Sequence, residues 1–181
     1  MKETKVELVP LKEDDRNQFI LDNQRAFKYG ATEEFGERDR HFEEEDEIIS
    51  RKTIEESMDA ENSEVYRIIN DGKIVGGVVL SINKVTHRNE LDLLFIAPEA
   101  HSLGIGFATW REVEKLHPET EVWETCTPYF ETRNIHFYIN KCGFSAVEFF
   151  NKHHKDGRIH DASDSDSEND MMFRFEKVMK A

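Results

Sequence analysis

Hydrophobic and polar positions along the chain change period several times, and each period predicts an element. In residues 4–11 (TKVELVPL), Val6, Leu8 and Pro10 mark every second position, which predicts a first strand. From Asp14 to about Phe27 the period becomes helical: Phe19/Ala26 and Ile20/Phe27 repeat at seven, and Tyr29-Gly30 closes the run. A second, acidic helix is expected from about Asp39 to Met58, with Phe42, Ile49, Ile54 and Met58 as its buried stripe. Residues 64–70 (EVYRIIN) and 73–82 (KIVGGVVLSI) flank Asp71-Gly72, a strong hairpin signal. Residues 89–97 predict a further strand that Pro98 ends. AHSLGIG then opens a helix running to about His117, with Ile105, Thr109, Val113 and Leu116 on one face. Residues 121–126 return as a strand, and a short helix covers about Thr132–Cys142 with Gly143 as its cap. FSAVEFF, with Phe144, Phe149 and Phe150, reads as a core strand. Residues 152–169 should loop out, and 171–178 alternate as a closing strand.

The order is β-αα-βββ-α-β-α-ββ, with no internal repeat and no linker. Hairpins come first and strand-helix alternation second. That order predicts an α/β (α+β mixed) single domain over residues 1–181. Its centre is a mixed, mostly antiparallel sheet of about six or seven strands with helices on both faces. A length of 181 residues suits one core, and 38% hydrophobic residues with 13 Phe exclude a disordered chain. No run approaches the roughly 20 apolar residues of a membrane span, and the N-terminus has no signal-peptide core. Cys126 and Cys142 cannot form a disulfide framework, so a cytoplasmic protein with reduced thiols is the default.

The formal net charge is −14, which disfavours nucleic acid as a partner. Residues 33–47 carry −7 and residues 156–170 carry −5, so two segments hold nearly all of it. The plain reading is two solvated surfaces, with 153–169 a mobile acidic loop. The sharper reading is that one of them attracts a cationic substrate. His153, His154 and His160, with Asp161, Asp164 and Asp166, have no spacing of a known metal site, so no metal is expected.

The informative stretch is Leu91–Leu116. A strand ends at Pro98 and HSLGIGF starts a helix, whose first N–H groups and dipole favour phosphate, while glycines let it approach. The dinucleotide fingerprint wants a third glycine where Thr109 stands, and the Gly-Lys-Ser/Thr of a P-loop is missing. LFIAPEAHSLGIGFATW resembles the acyl-CoA-binding motif of the GCN5-related N-acetyltransferases, Gln/Arg-x-x-Gly-x-Gly/Ala after a strand. TRNIHFYINKCGF resembles that family's second signature: Asn, then Tyr on a short helix, then Gly-Phe. The resemblance covers about residues 64–150. Two departures stand out. His101 replaces the usual Gln or Arg, and Tyr138 precedes Gly143 by five residues where four is commoner. A bulged or looser helix end would accommodate the extra residue; otherwise Tyr138 is not the acid. Ile139, at the usual spacing, has no proton chemistry.

The resemblance implies an acyl-CoA-dependent N-acyltransferase that moves acetyl from acetyl-CoA to an amine by direct attack. In this reading the backbone of Leu94, Phe95 and Ile96 holds the peptide-like arm of the cosubstrate. The backbone of His101, Ser102, Leu103, Gly104, Ile105, Gly106 and Phe107 holds the pyrophosphate, and the His101 side chain could also bond a phosphate. Asn134 orients the arm or the helix. Counted back from the glycines, Glu90 falls where the histone-modifying members place their glutamate base; Asp92, two residues on and on the same strand face, is a close second, with Glu124 a third and a water chain the alternative. Tyr138, with Tyr129 as backup, would protonate the leaving thiolate. A small-molecule or peptidic cationic amine is the expected acceptor; no nucleic acid or membrane partner is expected, and a homodimer is compatible. The competing readings are a non-catalytic CoA-responsive or partner-binding protein and, more remotely, a Rossmann-like dinucleotide binder.

Overall fold

A computed structural model describes residues 4–31, 47–158 and 171–179. The chain divides into two compact units, Met1–Thr120 and Glu121–Ala181.

In the first unit, four strands follow one another in antiparallel order: β1 (Glu7–Pro10), β2 (Ser63–Asn70), β3 (Lys73–Ser81) and β4 (Arg88–Ile96). The β2–β3 turn is the anticipated Asp71-Gly72, with φ of +49° and +76°. Both central residues are left-handed, which matches the twist of a two-residue hairpin.

Helices cover both faces of these strands. α1 (Arg16–Tyr29) and α2 (Arg51–Asp59) bury Phe19, Ile20, Ala26, Ile54 and Met58 against Val79 and Phe95. On the opposite side α3 (Ile105–Leu116) sets Ile105 against Ile68, Leu94 and Ile96. Neighbouring residues of β4 therefore serve different cores, as a period of two demands.

α1 is fixed by a buried charge. Asp15 stands at its N-cap but makes no capping bond. Its carboxylate instead accepts from Arg67 Nε at 2.6 Å and Nη2 at 3.0 Å, while Nη1 donates to Asp22 at 2.9 Å. The guanidinium also lies 5.2 Å from the centre of the Phe19 ring. Asp15, Phe19 and Asp22 fall on one helical face, so a single arginine of β2 meets all three.

The second unit holds β5 (Val122–Pro128), β6 (Ser145–Phe150) and β7 (Met172–Val178), with β7 central and both pairings antiparallel. Its helical segment begins with α4 (Thr132–His136) and continues as a π turn over Phe137–Lys141.

Several expectations need correction. The second helix starts at Arg51, not near Asp39: Ser50 accepts from Thr53 N–H at 3.1 Å and caps it, and Ile49 is buried from outside the helix. The stretch 39–46 of that expected helix, Phe42 included, lies outside the described residues. So do nearly all of the acidic block 33–47 and the 159–169 part of the expected acidic loop. Leu116 is exposed, because the α3 stripe turns through Trp110 to Val113 and ends there. Phe149 is also exposed; it meets Phe173 with ring centroids 4.8 Å apart, while Phe144 and Phe150 take the buried positions.

Candidate active site

β4, the loop after it and the start of α3 lie in the first unit. Opposite β4, Val79 pairs with Leu93 and Leu80 with Leu91, so Asp92 has no partner across the ladder and forms a β-bulge. The bulge changes the parity of the strand. Asp92 faces α2, where its carboxylate accepts from the Ser57 hydroxyl, and Leu93 joins the core on that same face. Asp92 is exposed on one side, yet enough protein surrounds its carboxyl to raise its pKa by desolvation, against the opposing effect of the Ser57 hydrogen bond. Glu90 pairs with Ser81, is half-buried and lies two residues before Asp92.

Leu94, Phe95 and Ile96 pair with Val78, Gly77 and Gly76. Both glycines are required by packing. A Cβ at Gly76 would lie 2.2 Å from the Phe95 carbonyl oxygen, and one at Gly77 would lie 2.3 Å from Phe19 and 2.6 Å from Phe95. β4 thus rests close upon β3 just where the cosubstrate arm was expected.

A short 3₁₀ turn, Pro98–Ala100, carries the chain out of β4 into the glycine loop. Ser102 and Gly104 both adopt left-handed φ, +64° and +72°. Ser102, Leu103 and Gly104 face solvent, while Ile105 is buried and anchors the helix start. Ala108 N–H donates to Gly104 O at 3.0 Å, so the N–H groups of Ile105, Gly106 and Phe107 precede the first helical bond. No side chain caps this end. An exposed helix start with a left-handed glycine before it fits a pyrophosphate. Phe107 is exposed on the first turn. His101 turns inward: its Nε2–H donates to Ile96 O at 2.9 Å. The fork of Arg25 on Glu99 holds that carboxyl below its ordinary pKa.

Tyr138 and Asn134 lie in the second unit. The residue in excess of the family spacing is taken up by the π turn, in which Cys142 N–H donates to Phe137 O at 3.0 Å. One inserted residue in a helix advances the face by about 100°, so Tyr138 takes the face that a residue four before Gly143 has in a straight helix. Gly143 then ends the helix with φ +82°, and Phe144 N–H donates to Tyr138 O at 2.9 Å. The Tyr138 ring is buried against Phe144 and Phe175, at 5.7 and 5.9 Å. Burial pushes its phenol pKa upward, and a hydrogen bond with Thr125 opposes that shift. Ile139 points to solvent. Asn134 Nδ2 donates to Thr127 Oγ1 at 3.4 Å.

The backups are differently placed. Glu124 lies near two guanidinium groups, Arg174 at 3.6 Å and Arg158 at 3.7 Å. Tyr129 packs edge-on against Phe130. Among the described residues no cluster of His, Cys, Asp and Glu suits a metal ion, and His154 bonds Glu148 at 2.7 Å. No described helix is long and apolar enough to cross a membrane. The partners that reach the site from far along the chain, Ser57 on Asp92 and Arg25 on Glu99, have no sequence signal. They stand 35 and 74 residues from the groups they bind.

The glycine loop between β4 and α3, and the second signature around Tyr138, are the marks of one protein class. The chain belongs to the acetyltransferase (GNAT) family, whose model matches residues 24–144. It is 44% identical over 182 residues to the uncharacterized protein YrkN of Bacillus subtilis (strain 168), covering 98% of this chain and 96% of that one. Among solved structures, the ribosomal-protein-S18-alanine N-acetyltransferase of Escherichia coli matches with TM-score 0.66 and 12% identity, over 97% of this chain and 95% of that one. The spermidine N-acetyltransferase of Vibrio cholerae, solved with CoA and spermine, matches with TM-score 0.64 and 15% identity, over 96% and 95%. Those two share its fold.

Proposed function

We propose that the protein transfers an acyl group, acetyl in the simplest case, from acyl-CoA to a primary amine within a ternary complex. The observation that carries this reading is the exposed loop His101–Gly104, whose left-handed Ser102 and Gly104 lead directly into the uncapped start of α3. The N–H groups of Ile105, Gly106 and Phe107 take the pyrophosphate, and the backbone of Leu94–Ile96 takes the peptide-like arm. The cosubstrate brings an activated thioester.

The acceptor arrives as an ammonium ion and must lose a proton before its lone pair can attack. Asp92 is the favoured base, since desolvation brings its pKa nearer to the working range and Ser57 holds it in place. Glu90, on the same strand, is the alternative. Tyr138 donates its phenolic proton to the leaving sulfur, and the raised phenol pKa keeps that proton in place until then. Asn134 steadies the helix start. A cationic acceptor suits the net charge of −14. The spermidine enzyme among the structural relatives makes polyamines the first amines to try.

The test is thiol release from acetyl-CoA with a panel of polyamines, amino-sugars, lysine peptides and free N-termini. Amine-dependent release that Asp92→Asn and Tyr138→Phe each reduce, with CoA affinity kept, supports the assignment. CoA binding with no release for any amine favours a CoA-responsive protein without catalysis.

A further inference from the structure

Arg25 and Tyr29 stand one turn apart on α1 and share a face. Both reach the glycine loop. Arg25 sets Nη1 and Nη2 on the two oxygens of Glu99 at 3.2 and 3.0 Å, and the Tyr29 ring meets the His101 ring edge-on at 5.5 Å. His101 passes the contact on, because its Nε2–H closes the loop back onto Ile96 O at the end of β4. A separate tie comes from the N-terminal segment, where Thr4 Oγ1 donates to Leu103 O at 2.8 Å. These ties surround Ser102, which carries a Cβ in a left-handed conformation. Such a backbone persists only where its surroundings fix it.

We propose that the last turns of α1 set the shape of the pyrophosphate loop. In this view Arg25 and Tyr29 are positioning residues that hold Glu99 and His101. His101, standing where the family has Gln or Arg, braces the loop through Ile96 instead of touching phosphate. The inference rests on the reading above, in which this loop takes the pyrophosphate of an acyl-CoA. Its chemistry is selective. A loosened loop penalises a donor that carries a pyrophosphate and spares one that lacks it.

The test uses the full chain as wild type, Arg25→Met, Tyr29→Leu and Tyr29→Phe. CoA affinity is measured by calorimetry, and kcat/KM is measured with acetyl-CoA and with acetyl-pantetheine, which has no pyrophosphate. Arg25 is exposed, so its variant keeps the fold. Arg25→Met should raise the Kd for CoA about 2- to 5-fold, the scale of one exposed fork, and Tyr29→Leu about 2- to 10-fold, the scale of one ring pair. The loss with acetyl-CoA should appear in KM, acetyl-pantetheine should change by less than about 2-fold, and Tyr29→Phe should keep wild-type affinity. Arg25→Met combined with Glu99→Gln should lose less than the product of the single losses, since the two act as one pair. Unchanged CoA affinity in every variant overturns the brace and leaves the cradle standing. Equal losses with both donors also overturn it, since they report damage away from the pyrophosphate. A wild-type protein that binds no CoA removes the functional reading itself, a different result from either.

Discussion

A methyl group added at Gly77 tests the packing beneath the candidate site. This glycine lies in β3, pairs with Phe95 and is itself buried. Its missing Cβ leaves room for two rings that meet edge-on with centroids 5.1 Å apart, Phe19 of α1 and Phe95 of β4. A Cβ there would lie 2.3 Å from Phe19 Cε2, and 2.6 and 2.7 Å from Phe95 Cε1 and Cζ. Carbon atoms in contact sit about 3.5–4.0 Å apart, so each ring must move by about 1 Å. Overpacking of this kind costs about 1–3 kcal/mol, and loss of the edge-to-face pair adds about 0.5–1.5 kcal/mol. Restricting the unfolded chain returns about 0.4–1 kcal/mol. Gly77→Ala should therefore destabilise by about 2 kcal/mol. Urea unfolding reads this as a lower midpoint at unchanged slope. Gly30→Ala is the control: no atom lies within 4 Å of a Cβ there and φ is −57°, so it should be neutral or slightly stabilising. Phe19→Leu placed behind Gly77→Ala should recover part of the loss. Equal midpoints for wild type and Gly77→Ala, or equal losses for the two alanine variants, would refute the steric argument.

Arg67→Met should cost about 1–3 kcal/mol in the same assay, because it removes three charge-assisted hydrogen bonds and leaves the half-buried Asp15 and Asp22 without their shared cation. Ser50→Ala removes the bond from Thr53 N–H and should cost about 1 kcal/mol. Asp92→Asn should raise Tm slightly at neutral pH, the effect being reduced by solvent screening at this exposed residue. The native pKa of Asp92 lies above the unfolded value of about 3.9, so its ionised form opposes folding at higher pH. The advantage over wild type should shrink as pH falls through that native pKa and vanish below the unfolded one; an advantage independent of pH would assign it to something other than ionisation. Gly104→Val places a branched side chain at φ +72° in an open loop, and calorimetry should show CoA binding strongly weakened with the core intact.

The order of elements was legible because each strand and helix here carries its own period, and a period is a local property. The hairpin at Asp71-Gly72 needs only two residues that tolerate positive φ, so sequence located it. The glycine loop was legible for the same reason: the left-handed Gly104 and the start of α3 are adjacent in the chain. Sequence also located Tyr138 and the irregularity beside it, since spacing shows that a residue is in excess.

Tertiary structure alone decided how the excess was absorbed, as a π turn whose geometry depends on the aromatic packing around Tyr138. It alone placed the bulge at Asp92, because a bulge is a relation between two strands and appears in neither. The same holds for Arg67, which reads as an ordinary strand arginine until α1 brings Asp15 and Asp22 to it from 52 and 45 residues away. His101 makes the contrast sharpest. Its position in the motif puts its backbone beside the expected phosphate and leaves the role of its side chain open; only the fold brings the carbonyl of Ile96 and the ring of Tyr29 within that side chain's reach. Motifs record neighbours along the chain, whereas a side chain bonds to neighbours in space, and only the packed protein brings those together.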